Sequence, residues 1–367
     1  MISYLKKNPD LAFAMIFALG AGAAAPFSLE AMLASVNGAL LLLLFCLMAI
    51  VAGLRESGIF TWGFVRLMER GPSSRMLARL FVFSCFFSSM LITNDVSLII
   101  FVPLAILTLT KAGLSDMLVP VVTGQTIAAN MGSMLTPIGN PQNLFIYAHY
   151  GLSLTDFFHV TGPVVLASGV LLWIATLKLK DCRAEVETEA LPKLPRGRIG
   201  ILFVLFIVCL LYVLRVLPVE MLGVVTAVLF VLDRHLLLEV DFKLLLLFTF
   251  LFLGVGCLVR VPALADAPAQ LLAGHEFFAS LLLSQVVSNV PTIVMLAPYT
   301  EAADELLLGV NIGGLGTIIA SMASVISFKA YLDTRPERMK AYLVFFTLSN
   351  LLLLAILLAG VWVLGWI

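Results

Sequence analysis

The sequence predicts an all-α polytopic membrane protein, with about nine transmembrane helices and two re-entrant hairpins. These are arranged as inverted-topology repeats with broken helices at the midplane. Three observations predict this. Hydrophobic residues make up 61% of the 367 positions and charged residues only 12%, about half the charged share of a soluble domain. Apolar runs long enough to cross a hydrocarbon layer of about 30 Å recur from end to end. Two blocks of sequence recur in the same order, each placing amides, hydroxyls and helix breakers inside apolar surroundings.

The elements follow from charge. Lys and Arg concentrate in cytoplasmic loops, and here they cluster at 6–7, 55–79, 111, 178–198, 234–243 and 335–340. One path puts all of these on one side. Helix 11–26 goes out and helix 36–54 returns, which places Lys6 and Lys7 inside. The opening resembles a signal peptide, but the path requires this crossing, so the segment reads as a first helix. Residues 57–72 lie amphipathic on the cytoplasmic surface. Residues 75–110 enter and leave on that same side, a hairpin with Thr93-Asn94-Asp95 at its turn. Helix 117–149 goes out and helix 157–178 returns.

The polar stretch KLKDCRAEVETEALPKLPRGR divides the chain near its middle. It separates a first half, 1–178, from a second, 199–367, with 179–198 as cytoplasmic linker. Helix 199–216 then goes out, 218–232 returns and 241–258 goes out. Residues 262–300 form a hairpin entered from the outside, 304–332 returns and 341–365 exits. Only Arg215 and Arg260 then fall outside. The N-terminus is expected in the cytoplasm and the C-terminus in the periplasm. Trp62, Trp173, Trp362 and Trp366 are expected at membrane interfaces, as are His149, His159 and His235.

The halves match in two ungapped blocks. Thr93-Asn94-Asp95-Val96-Ser97 aligns with Ser288-Asn289-Val290-Pro291-Thr292, and a proline, Pro103 or Pro298, follows nine residues past each asparagine. NMGSMLTPIGNPQNLFIYAHY from Asn130 aligns with NIGGLGTIIASMASVISFKAY from Asn311, pairing Asn130 with Asn311, Gly132 with Gly313 and Thr136 with Thr317. The charge-derived path gives the halves opposite orientations, a design of secondary transporters.

Both blocks break a helix at membrane depth. Thr136-Pro137-Ile138-Gly139-Asn140-Pro141 cannot be regular helix, since its prolines remove donors and its glycine loosens the backbone. The second copy uses Gly313, Gly314 and Gly316. Such irregular backbone is tolerated in a membrane only where protein or a watery cavity covers it. Half-helix N-termini then offer N–H groups to anions or oxyacids, and C-termini offer carbonyls to cations. Asn94, Ser97, Thr136, Asn140, Asn143, Ser288, Asn289, Thr292, Thr317, Ser321 and Ser324 are the candidates for substrate contact. Thr93, Asn94, Asp95, Asn130, Asn289 and Asn311 are the candidates for a coupling ion.

Asp95 has no acidic counterpart, because Val290 stands at the matching position. A membrane carboxylate without a cation in its own hairpin marks an ion site. Asp95 is expected to exchange a proton, with Na⁺ binding as the alternative and an ion pair with Lys329 or His149 as the structural one.

At these residues the chain resembles the ion transporter superfamily, which includes arsenite permeases, citrate carriers, dicarboxylate/sodium symporters and NhaD-type antiporters. TNDVSLIIFVP, SNVPTIVML and NMGSMLTPIGNPQN carry the resemblance, and it extends to the YbiR-like branch of bacterial inner-membrane permeases. It implies a scaffold domain, a moving transport domain with two hairpins, elevator-type alternating access and often a homodimer. The third tip position departs from the symporters' Ser-Asn-Thr in both halves, at Asp95 and Val290.

The expected function is ion-coupled secondary transport of a small anion or its neutral oxyacid across the bacterial inner membrane, with sodium/proton antiport as alternative. The coupling ion is H⁺ or Na⁺, with no organic cofactor and no bound metal. Membrane lipid is the expected surrounding. Zero net charge (22 basic and 22 acidic residues) leaves no basic field for nucleic acid. An enzyme is not expected: His275-Glu276 lacks the second histidine of a zinc-protease helix, with Ala279 at that position, and there is no GxSxG. The five cysteines show no CxxC spacing and read as single buried thiols.

Overall fold

The computed structural model describes residues 8–24, 29–68, 73–183, 193–261 and 268–365. These residues are helical and turn structure, with no strand among them beyond one isolated bridge between Ser73 and Arg183. Six helices among them are long and apolar enough to cross a membrane: Gly38–Glu56, Ser74–Ile92, Asn94–Lys111, Leu154–Leu177, Arg196–Val213 and Pro336–Val363. Pro9–Ala24, Phe242–Leu258 and Glu276–Val287 are shorter apolar helices. This is the pattern of a multi-pass membrane protein. Lys6, Lys7 and Trp366, and parts of three expected segments (69–72, 184–192 and 262–267), lie outside the described residues.

Local signals set the helix starts. Asn37 Oδ1 accepts the Leu40 amide at 3.0 Å ahead of Gly38–Glu56. Ser153 and Asp156 form a reciprocal capping box ahead of Leu154–Leu177. Ile59–Met68, expected on the surface, is helical with one face packed inward: Phe64 and Val65 are buried, and the Phe64 ring stacks on Phe81 at 4.5 Å.

One set of helices joins the chain's two halves. Pro9–Ala24 packs along Phe242–Leu258, with Asp10 bound to Lys243 at 2.7 Å near one end and Phe17 against Gly254 near the other. The two helices therefore run in the same direction. Gly38–Glu56 packs on Arg196–Val213 and Glu220–Asp233. Gly53 lets the Leu202 and Leu236 side chains approach its backbone.

The other set centres on Leu118–Ser133, which packs against Ser74–Ile92, Asn94–Lys111, Leu154–Leu177, Met322–Thr334 and Met339–Val363. It comes so close to Ser74–Ile92 that a methyl group on Gly132 would strike the Phe86 carbonyl. The first part of the linker is tied to this set. Ser74 N donates to Cys182 O at 2.9 Å, and Arg75 binds Leu179 O at 3.1 Å and Asp181 at 3.4 Å. The helix after the linker begins at Arg196 rather than 199.

Candidate functional site

Both expected hairpin turns are present, and they share one geometry. Ser74–Ile92 and Asn94–Lys111 meet at Thr93, with φ 74° and ψ 153°. Glu276–Val287 and Asn289–Leu296 meet at Ser288, with φ 74° and ψ 159°. This region of backbone space is nearly reserved for glycine. Each tip is held the same way. Asn94 Oδ1 accepts the Asp95 amide at 2.9 Å, and Asn289 Oδ1 accepts the Val290 amide at 2.9 Å. Ser97 Oγ donates to Thr93 O at 2.9 Å, and Thr292 Oγ1 donates to Ser288 O at 2.8 Å. The Ser97 and Thr292 hydroxyls, expected on substrate, are thus spent on the tips' own carbonyls.

The broken helices also correspond. Leu118–Ser133 stops, a short turn follows at Pro137–Gly139, and Pro141–His149 continues. Ala303–Ile312 stops, Ile318–Ala320 turns, and Met322–Thr334 continues. Thr136 Oγ1 donates to Met90 O, and Thr317 Oγ1 donates to Gln285 O at 3.2 Å. Each break is thereby joined to its own hairpin.

The two breaks bond to each other reciprocally. Ser321 Oγ donates to Asn130 Oδ1 at 3.0 Å, and Asn140 Nδ2 donates to Asn311 Oδ1 at 3.2 Å. Asn94 Nδ2 reaches Asn130 Oδ1 at 3.2 Å, and Asn130 Nδ2 reaches Gly314 O at 3.4 Å. Asn311 Nδ2 donates to Asn143 Oδ1 at 2.6 Å. Ser133 links these two amide groups, its Oγ accepting Asn140 Nδ2 at 3.2 Å and donating to Asn130 O at 3.0 Å, so that Asn94, Asn130, Asn140, Asn143 and Asn311 form one buried polar network between the first tip and both breaks. Asn289 stands beside Gly314 but makes no bond to this network. Ser324 is buried, and its hydroxyl has no hydrogen-bond partner.

The breaks are supported differently. In the first, the Asn143 amide donates to Ser133 O, Met134 O and Thr136 O, each at 3.3 Å. Ser324, at the matching position, is too short to do this. Gln285 takes over from the second hairpin. Its Nε2 donates to Gly313 O at 2.7 Å and Leu315 O at 2.9 Å, and its Oε1 accepts the Thr317 amide at 2.9 Å. The sequence reading missed Gln285; a polar residue one helical turn before the Asn289 tip, where Met90 stands before Asn94, was the available signal. Gln125 was also missed. It is fully buried and donates to Phe101 O at 2.9 Å.

A cavity of about 160 Å³ reaches the first tip. Its lining includes Thr93, Asp95, Val96, Asn140, Pro141 and Met322, with Arg55, Glu239 and Asp241. Three helices begin at the lining: Asn94–Lys111, Pro141–His149 and Met322–Thr334. Ser321 gives the third no side-chain cap. Among the described residues the Asp95 carboxylate has no hydrogen bond or ion pair, and neither expected cation pairs with it. Lys329 is exposed. His149 stacks on Phe145 at 5.2 Å and lines a separate cavity of about 500 Å³ with Phe252 and Arg260.

A family model described as citrate transporter, CitMHS, matches residues 7–324. The chain belongs to the CitMHS family. Among relatives of this CitMHS protein, the inner membrane protein YbiR of Escherichia coli strain K12 is 31% identical over 344 residues, 89% of each chain. The uncharacterized transporter MJ0456 of Methanocaldococcus jannaschii is 30% identical over 288 residues, 78% of this chain and 79% of that one. A 46 kDa membrane protein of Mycobacterium leprae is 26% identical over 328 residues, 77% of this chain and 76% of that one. The family and these relatives agree with the resemblance carried by the tip motifs. The CitMHS protein is a multi-pass membrane transporter.

Proposed function

We propose that this CitMHS protein is an ion-coupled secondary transporter of a small anion or its neutral oxyacid, working in the bacterial inner membrane. The observation that carries the reading is the convergence of three helix N-termini and one unpaired carboxylate on the lining of a single cavity. Helix N-termini favour oxyanions and oxygen-rich neutral groups. Asn140 caps one of these helices, its Oδ1 accepting the Asn143 amide at 2.9 Å. Asp95 stands beside them as the coupling residue, taking H⁺ or Na⁺.

The charge of the lining narrows the substrate. Asp95, Glu239 and Asp241 face the cavity with Arg55, and Arg55 is already paired with Glu239 at 2.9 Å. A tri- or dicarboxylate would meet repulsion from these acids, and Lys243, the cation beside Met322, is already paired with Asp10 at 2.7 Å. A neutral acid such as arsenous acid meets none of this repulsion, and a monoanion meets less of it. Sodium/proton antiport is the second reading, favoured by the same unpaired Asp95 carboxylate.

The chain is read as two inverted repeats, 1–178 and 199–367, joined by the linker at 179–198. The matched tips, matched breaks and reciprocal break-to-break bonds support a pseudo-two-fold relation. The Lys and Arg loops support a cytoplasmic N-terminus and a periplasmic C-terminus, with the cavity's charged lining facing inward. The hairpins, broken helices and Leu154–Leu177 are read as the moving part of an elevator, and Gly38–Glu56 with Arg196–Val213 and Glu220–Asp233 as its scaffold, with a homodimer as the assembly.

The test uses proteoliposomes loaded with a pH dye and given arsenite, sulfate, succinate, citrate or Na⁺ in turn. Proton flux is expected with arsenite rather than with sulfate, succinate or citrate, and is expected to vanish in Asp95→Asn. Flux with Na⁺ alone would replace this reading with the antiporter. Unchanged proton flux in Asp95→Asn would remove Asp95 from coupling.

A further inference from the structure

Arg79 lies in the second turn of Ser74–Ile92, a helix long and apolar enough to span the membrane. Arg55, Arg75 and Arg198 each bind a carboxylate. Arg79 binds none among the described residues. Its Nε donates to the Thr176 hydroxyl at 3.0 Å, and its guanidinium lies over the Trp173 ring, 4.2 Å from the centroid. A charge that far into a span is costly unless something compensates it. We propose that Arg79 and Trp173, with Lys178 and Lys180, bind the phosphate of an anionic phospholipid such as phosphatidylglycerol.

The guanidinium is held in one orientation. Thr176 Oγ1 donates to Trp173 O at 2.6 Å, which leaves its lone pairs for Arg79 Nε. Trp173 in turn meets the Phe83 ring edge-on at 5.8 Å, which braces the indole. Nε is thus used and one face of the guanidinium is covered, while neither Nη group has an acceptor among the described residues. The open edge of a fixed guanidinium matches two oxygens of one phosphate.

The surroundings favour a lipid over a free anion. Lys178 caps the end of Leu154–Leu177; it and Lys180 are exposed and form no ion pair among the described residues. Asp181, the acid beside them, is already paired with Arg75 at 3.4 Å. The lysines are drawn to the start of Ser74–Ile92, because Ser74 Oγ donates to Lys180 O at 2.9 Å and Arg75 binds Leu179 O at 3.1 Å. Met76, Ile174 and Leu177 are exposed on the same two helix ends, a surface suited to acyl chains. An arginine and two lysines there favour an anionic headgroup over a zwitterionic one, by about fivefold for each charge engaged.

The test is native mass spectrometry of the detergent-purified protein, which needs no knowledge of the transported substrate. Phosphatidylglycerol, phosphatidylcholine and inorganic phosphate are added in turn. One tightly held phosphatidylglycerol per chain is expected, bound about tenfold or more tighter than phosphatidylcholine and kept in excess inorganic phosphate. Arg79→Gln is expected to weaken it about fivefold or more, and Lys178→Gln combined with Lys180→Gln to do the same. Lys340→Gln, at an exposed lysine on Met339–Val363, is expected to leave it unchanged. Equal affinity for the two lipids, or equal weakening by Arg79→Gln and Lys340→Gln, would overturn the site. Displacement by inorganic phosphate would overturn the lipid assignment and leave a free-anion site. If Arg79→Gln fails to keep the wild-type melting temperature, the lysine double variant and the wild-type lipid selectivity decide.

Discussion

Thr93 and Ser288 hold the same backbone geometry, φ 74° and ψ 153° in one and φ 74° and ψ 159° in the other. Each tip also spends a hydroxyl four residues on, Ser97 or Thr292, to bind the carbonyl of the strained residue. A side chain in this region costs of order 1–3 kcal/mol. Keeping threonine and serine there points to use of the side chains. Thr93→Gly and Ser288→Gly are each expected to raise stability by about 1 kcal/mol while lowering transport. Thr93→Pro is expected to destroy the tip, because proline fixes φ near −65°. Melting temperature and flux, measured on the same preparations, check both.

The close approach at Gly132 makes a second prediction. A methyl there would strike the Phe86 carbonyl and crowd Ser89 Oγ at 2.7 Å. Gly132→Ala is expected to destabilise by about 1–3 kcal/mol or to block folding. Gly200→Ala is the control, since nothing lies within 4 Å of that position; in a helix it should be neutral or stabilising by up to about 1 kcal/mol. Size-exclusion profiles and melting temperatures distinguish them.

Gln285 supports the second break with three hydrogen bonds. Gln285→Met, which installs the residue type found at Met90, leaves the Gly313 and Leu315 carbonyls and the Thr317 amide without that partner. Leaving a buried backbone group unsatisfied costs about 1–3 kcal/mol. The expected outcome is a lower melting temperature and faster hydrogen exchange at 313–317, with exchange at 134–140 unchanged. Equal acceleration of both breaks would show that Gln285 has no special hold on the second.

The reciprocal bonds between the breaks predict coupling. Double-mutant cycles on Asn140 with Asn311, and on Asn130 with Ser321, are expected to give interaction energies of about 0.5–3 kcal/mol in unfolding experiments. Additivity in both cycles would mean that the breaks are joined by packing alone.

The sequence by itself determined the solvent, the class and the positions of interest. Composition required a membrane, because 61% apolar residues cannot be hidden inside a chain of this size. Prolines 137 and 141 required a broken helix, and the matched blocks located both tips and both breaks. Hydrogen-bond direction was not legible, because an amide offers a donor and an acceptor and the sequence does not say which it spends. Only tertiary packing decided that Ser97 and Thr292 turn back on their own tips and that Asn143 braces the first break. It also brought Gln285 to the second break and left the Asp95 carboxylate without an ion pair. These outcomes depend on distances between segments far apart in the chain, which only the packed helices fix.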